Sequence, residues 1–204
     1  MKKEEHKIAY KFLKYTLGVL FQILYHPKYV NKEYIPKEGP IIVCGNHRHL
    51  LDQCLPCLAT KRMLHYLAKK EFFDNKKVAW FFKSAGCISV DRKNHDSDAK
   101  EKALEVLKNN YALGIFPEGT RNKTFGTKDE VDLLPFKMGT VSFAQKTGAY
   151  IVPFAITGEY KMFRNKLIIT FLKPFKVKPD DDLEKVNDKL RNMILEEYQK
   201  HKKD

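Results

Sequence analysis

Three apolar runs constrain this chain most: Ile41-Ile42-Val43-Cys44, Ala112-Leu113-Gly114-Ile115 and Ile151-Val152-Pro153-Phe154-Ala155-Ile156. A strand with one wet face alternates apolar with polar residues, and these runs do not alternate. They suit strands of a sheet covered on both faces. Helical spacing falls between them, in about Asp52 to Thr60, Phe72 to Phe82, Asp98 to Asn109, Val141 to Lys146 and Asp182 to Lys200. Further strands are expected at Met63 to Ala68, Cys87 to Val90, Leu113 to Phe116 and Leu167 to Leu172. The alternation predicts an α/β fold, a central mixed, mostly parallel sheet covered by helices. At 204 residues, 43% of them hydrophobic, the chain is long enough for one well-buried core. We expect an N-terminal segment over residues 1–33 and one domain over 34–204, with Asn31 to Pro40 as a connector.

The N-terminal segment has its own pattern. Lys2, Lys3, Lys7, Lys11 and Lys14 precede the apolar run Leu17-Gly18-Val19-Leu20-Phe21-Gln22-Ile23-Leu24. That run is too short to span about 30 Å of hydrocarbon. Tyr25-His26-Pro27-Lys28 lacks the small residues of a signal-peptide cleavage site, so the segment reads as retained. Helical spacing puts Phe12, Leu13, Leu17, Leu20, Phe21 and Leu24 on one face, as in an interfacial amphipathic helix. A helix packed on the protein's own core fits the same spacing.

The chain carries 38 Lys and Arg against 25 Asp and Glu, a formal charge of +13, which favours anionic partners. No nucleic-acid-binding signature accompanies that charge, so we expect no nucleic-acid partner. Cys44, Cys54, Cys57 and Cys87 are few and lie among apolar residues, which points to a reducing compartment. Cys54 and Cys57 have the spacing of a redox pair or half a metal site. With no second pair, they read as small apolar helix residues and no metal is expected.

Two polar clusters follow apolar strands. The first is Asn46-His47-Arg48-His49-Leu50-Leu51-Asp52, and the second is Phe116-Pro117-Glu118-Gly119-Thr120-Arg121. On one regular helix His47 and Asp52 would face roughly 140° apart, so an intervening turn must bring them together. Asp52 could then fix the tautomer of His47 and stabilise its imidazolium. A plain loop with Asp52 capping the next helix fits equally well, and His49 rivals His47 on spacing alone.

With both clusters in order, the chain resembles the glycerolipid acyltransferase family that makes phosphatidic acid. His47 and Asp52 match its His-x4-Asp motif. Gly86-Cys87-Ile88-Ser89-Val90-Asp91-Arg92 is similar to its second motif, Phe116 to Arg121 to its third, and Ile151 to Ile156 to its fourth. Leu134-Pro135-Phe136-Lys137-Met138-Gly139 looks like a further family segment, and the resemblance runs from about Tyr34 to Phe175.

The resemblance implies transfer of a fatty acyl group from acyl-CoA or acyl-carrier protein to the sn-2 hydroxyl of lysophosphatidate, giving phosphatidate without a cofactor. It selects His47 as general base over His49, with Asp52 behind it. Arg92 and Arg121 become ligands of the acceptor phosphate, joined by Lys137. Glu118 would accept from an acceptor hydroxyl or orient Arg121, Gly119 would allow close backbone approach, and both count with Thr120 among the substrate-binding residues. The polar segment Asn122 to Asp132 reads as a loop. An anionic membrane surface is the expected partner, at the cytoplasmic face of the cell membrane in a peripheral or monotopic mode. Another acceptor, such as glycerol 3-phosphate, or a non-catalytic lipid-binding module on the same fold are the competing expectations.

Overall fold

The computed structural model describes residues 2–91, 97–124, 128 and 130–200. The described residues hold seven strands, β1 (Lys28–Val30), β2 (Ile41–Gly45), β3 (Leu64–Lys69), β4 (Ile88–Val90), β5 (Ala112–Ile115), β6 (Tyr150–Thr157) and β7 (Ile168–Phe171). The helices are α1 (Lys2–Tyr25), α2 (Cys54–Ala59), α3 (Glu71–Asp74), α4 (Lys76–Ser84), α5 (Ser97–Lys108), α6 (Gly139–Thr147) and α7 (Leu183–Lys200). The sheet order is β1-β7-β6-β2-β5-β3-β4. Every neighbouring pair is parallel except β6 with β7. The mixed, mostly parallel sheet expected from the apolar runs is therefore present.

Both faces of the sheet are covered, and the strand pleat decides which residue goes where. Ile42 and Cys44 of β2 enter one core with α5, α6 and α7, through Leu107, Val141 and Ile194. Ile41 and Val43 enter the other, with Phe21 of α1 and Leu55 of α2. All four β2 side chains are fully buried, which is why the run shows no polar alternation. Gly45 ends β2 where a Cβ would lie 2.3 Å from both the Phe154 ring and its carbonyl oxygen. Only a residue without a side chain fits there, and its close approach brings the following loop over β6.

Two expected elements differ in form. The helix read over Phe72 to Phe82 is two helices, because Asn75 takes an extended conformation and its side chain accepts from the Lys77 N–H, capping α4. The helix expected from Asp52 begins at Cys54, and a turn carries Asp52. The strand β1 precedes the expected connector and pairs in parallel with β7, so residues 28–30 join the sheet. The connector itself contains a short 3-10 helix, Lys32–Tyr34.

Helix α1 does two things at once. It buries Tyr10 and Phe21 and packs against α2 and α4. Its Ile8, Phe12, Leu17, Leu20 and Ile23 remain more than half exposed, as does Trp80 of the neighbouring α4. Among the described residues no helix is long and apolar enough to cross a membrane.

Candidate active site

The carboxyl ends of the parallel strands are where open α/β sheets place their sites, since loops from several strands converge there. Here β2 delivers the 46–53 loop and β5 delivers the 116–122 turn, and the connection after β6 brings Tyr160 to the same edge. Asn46 starts the first loop by pairing its side-chain amide with the backbone of Ile156, donating to the carbonyl at 2.9 Å and accepting from the N–H at 2.7 Å. The chain leaves the sheet at a fixed point.

His47 and Asp52 meet: Nδ1 of His47 lies 2.9 Å from Oδ2 of Asp52. The carboxylate is fully buried, while the His47 side chain keeps 17% exposure. Oδ2 also accepts the backbone N–H groups of Arg48 and His49, each at 2.7 Å. Oδ1 accepts the Tyr160 hydroxyl at 2.5 Å. Asp52 thus folds back onto the loop before it and does not cap α2. With the carboxylate at Nδ1, that nitrogen carries the proton, and Nε2 presents its lone pair. The ring stacks on Phe116 with centroids 4.0 Å apart.

His49 has a different environment. Its Nδ1 accepts the Leu51 N–H at 3.2 Å, and its ring stacks on Tyr160 at 4.0 Å. Burial lowers its pKa, with the Asp52 charge opposing that shift. Only the His47 ring reaches the carboxylate, a distinction that spacing left open.

Glu118 is 4% exposed. Its Oε1 accepts the His47 backbone N–H at 2.7 Å, and its Oε2 accepts the Leu134 N–H at 2.9 Å. The carbonyl of His47 in turn accepts the Asn122 N–H at 2.6 Å. Both sides of His47 are therefore held by the segment after β5. Asn122 is buried and its amide donates to the Val131 carbonyl at 2.5 Å, closing the polar loop onto the turn.

Burial pushes the Glu118 carboxyl up to about 7, against the lowering effect of its two backbone donors. A carboxyl raised on folding retains its proton at pH values where the unfolded chain has released it. Its contribution to stability is full below about pH 4.5 and is lost as pH rises through about 7. We expect wild-type stability to fall by up to about 3 kcal/mol from pH 4.5 to 8 through this group, with that slope absent in Glu118→Gln. Urea midpoints at the two pH values check it.

Gly119 has φ 70°, the left-handed region that favours glycine, and a Cβ there would come within 2.8 Å of the Lys137 side chain. Lys137 lies over the turn, and its backbone N–H donates to the Pro117 carbonyl at 2.9 Å. Arg121 and Thr120 are exposed, and the Arg121 charge is felt at His49. Arg92 lies outside the described residues. Among the described residues no group of three or more His, Cys, Asp or Glu has metal-holding geometry. Tyr160 and Asn122 escaped the sequence reading. An isolated Tyr in the polar stretch after a strand gives no signal, and Asn122 holds His47 through its backbone N–H, a group every residue but proline has.

Comparison with known proteins places the chain in a family. The chain is 33% identical over 167 residues to the 1-acyl-sn-glycerol-3-phosphate acyltransferase of Bacillus subtilis, covering 78% of this chain and 80% of that one. It is 32% identical over 186 residues to the enzyme of that name from Saccharomyces cerevisiae, covering 83% of this chain and 60% of the yeast protein. The crystal structure of the 1-acyl-sn-glycerophosphate acyltransferase PlsC from Thermotoga maritima superposes with a TM-score of 0.76 at 24% identity, over 99% of this chain and 83% of that one. That likeness establishes the shared fold. The acyltransferase family model matches residues 26–157, a span that takes in both loops of the site, and the chain belongs to the acyltransferase family.

Proposed function

We propose that this enzyme moves a fatty acyl group from acyl-CoA or acyl-carrier protein to the free sn-2 hydroxyl of lysophosphatidate, giving phosphatidate for phospholipid synthesis. The observation that carries the reading is the 2.9 Å contact of His47 with a fully buried Asp52, in a His side chain that keeps 17% exposure and whose backbone N–H is held by Glu118. The names of the relatives supply the acceptor class.

A hydroxyl is a poor nucleophile at neutral pH. Nε2 of His47 takes its proton as the oxygen attacks the thioester carbonyl, and the tetrahedral oxyanion collapses with loss of thiolate. The new C–O bond replaces the C–S bond, and the thiolate leaves with the proton from the imidazolium. Asp52 holds the tautomer throughout. Arg121, Lys137 and Arg92 supply cations for the acceptor phosphate. Glu118, both of whose oxygens face backbone donors, positions the His47 loop.

Purified protein with anionic vesicles, lysophosphatidate and acyl-CoA or acyl-carrier protein should yield phosphatidate and one free thiol per ester. No product with either donor would overturn the reading. Product from glycerol 3-phosphate instead would replace the acceptor.

The exposed face of α1 supports attachment of this helix to an anionic bilayer, at the cytoplasmic face of the membrane. Trp80 is the one tryptophan of the chain and sits 60% exposed on α4, beside α1. Its emission should shift to the blue with anionic vesicles and stay unchanged with zwitterionic ones. Leu20→Glu changes a side chain that is 52% exposed, so folding survives. Vesicle flotation should drop by about tenfold or more in that variant, because a charge replaces an apolar side chain on the face that meets the lipid.

A further inference from the structure

Four hydrogen bonds satisfy the Asp52 carboxylate. Three of their donors, the His47 ring and the N–H groups of Arg48 and His49, belong to the same short loop and all converge on Oδ2. The fourth comes from the connection between β6 and β7, where the Tyr160 hydroxyl donates to Oδ1 at 2.5 Å across 108 positions of sequence. A carboxylate held at one oxygen can rock about that contact, and a donor on the other oxygen stops it. We propose that Tyr160 is a positioning residue for the proton transfer, fixing the rotation of Asp52 and lowering the charge that Asp52 presents to His47.

Its own placement is built from several sides. The ring stacks on His49 at 4.0 Å and meets Tyr25 of α1 edge-on at 5.7 Å. Two residues of its connection are tied down as well: Phe163 N–H donates to the Leu24 carbonyl at 2.7 Å, and the Gly158 carbonyl accepts from Arg48 at 2.5 Å. Burial and the Asp52 charge both raise the phenol pKa, so Tyr160 stays a donor throughout the working range. The other charged or titratable groups facing the pair are Arg48, His49, Cys54, Glu118 and Arg121, all retained when Tyr160 is changed.

The inference rests on His47 being the base, so the test carries separate arms. Tyr160→Phe keeps the ring and removes only the donor. The expected result is a fall in kcat of about tenfold to a hundredfold with KM for donor and acceptor unchanged. Without the phenol, Asp52 holds the imidazolium proton more firmly, so the acid limb of kcat/KM moves upward by about half a pH unit or more. In proton NMR of the unliganded protein, the His47 Nδ1–H resonance broadens by exchange. Wild-type kcat with an unshifted limb and an intact resonance would overturn the role, as would a kcat loss with neither of the other two changes. Full activity in His47→Ala would remove the base reading instead, whereas the NMR arm still reports whether Tyr160 holds the pair. Should Tyr160→Phe fold poorly, fluorotyrosine incorporated at position 160, which keeps the ring and makes the hydroxyl a stronger donor to Asp52, should move the acid limb downward, and an unmoved limb would overturn the role.

Discussion

His47→Ala should lower kcat/KM by roughly 10²- to 10⁴-fold, the range for loss of a positioned general base, while His49→Ala stays within about tenfold of wild type. The difference is local geometry. His47 alone offers its ring to the buried Asp52 carboxylate, at 2.9 Å, and keeps a partly exposed edge for a substrate. His49 spends its Nδ1 on the Leu51 N–H and its face on Tyr160, and burial lowers its pKa. The truncation at 47 removes one stacked ring over Phe116 and leaves the backbone clamps to Glu118 and Asn122 in place. Thermal unfolding should therefore change little in His47→Ala. Asp52→Ala should keep more activity than His47→Ala, because the imidazole survives without its orienting partner. Initial rates with lysophosphatidate and acyl-CoA check all three, and an inactive His49→Ala beside an active His47→Ala would reverse the assignment.

Legibility in the sequence followed how local each contact is. Strands β2 and β6 were readable because burial on both faces leaves unbroken apolar runs. Strand β1 was not, since three residues with a Lys and a Tyr gain strand character only from pairing with β7, 140 positions on. The α3–α4 break depended on Asn75 choosing a cap over a helical turn, a choice side-chain periodicity does not display. At the site, the meeting of His47 with Asp52 was foreseeable as a turn-dependent contact five positions apart. The partners of Glu118 were hidden, because they are the backbone N–H groups of His47 and Leu134, and every residue but proline has one. Tyr160 was hidden by distance.

The hidden partners of Glu118 make its substitution the second large effect. Glu118→Gln should lower kcat by about a hundredfold while KM for the lysophosphatidate acceptor changes less than about threefold. In its ionised form, above about pH 7, the carboxylate accepts one N–H on each oxygen, from His47 at 2.7 Å and from Leu134 at 2.9 Å. A glutamine has one acceptor oxygen and one donor nitrogen, so one of the two buried N–H groups then faces another donor. Leaving such a group unpaired costs about 1–3 kcal/mol. The site relieves that cost by moving whichever segment is freer. Leu134 is held through neighbours on a packed segment, with Leu133 fully buried and its carbonyl taken by Arg191, whereas His47 lies in an irregular stretch after β2 and its side chain keeps 17% exposure. The His47 side yields, Nε2 moves from the acceptor hydroxyl, and turnover falls with binding intact. A carboxylate that gripped the acceptor directly would give the opposite split, a raised KM with kcat nearly unchanged. Steady-state kinetics over both substrates separate the two, and Glu118→Asp, which keeps two acceptor oxygens on a shorter stem, should recover only one of the two clamps and fall between wild type and Glu118→Gln.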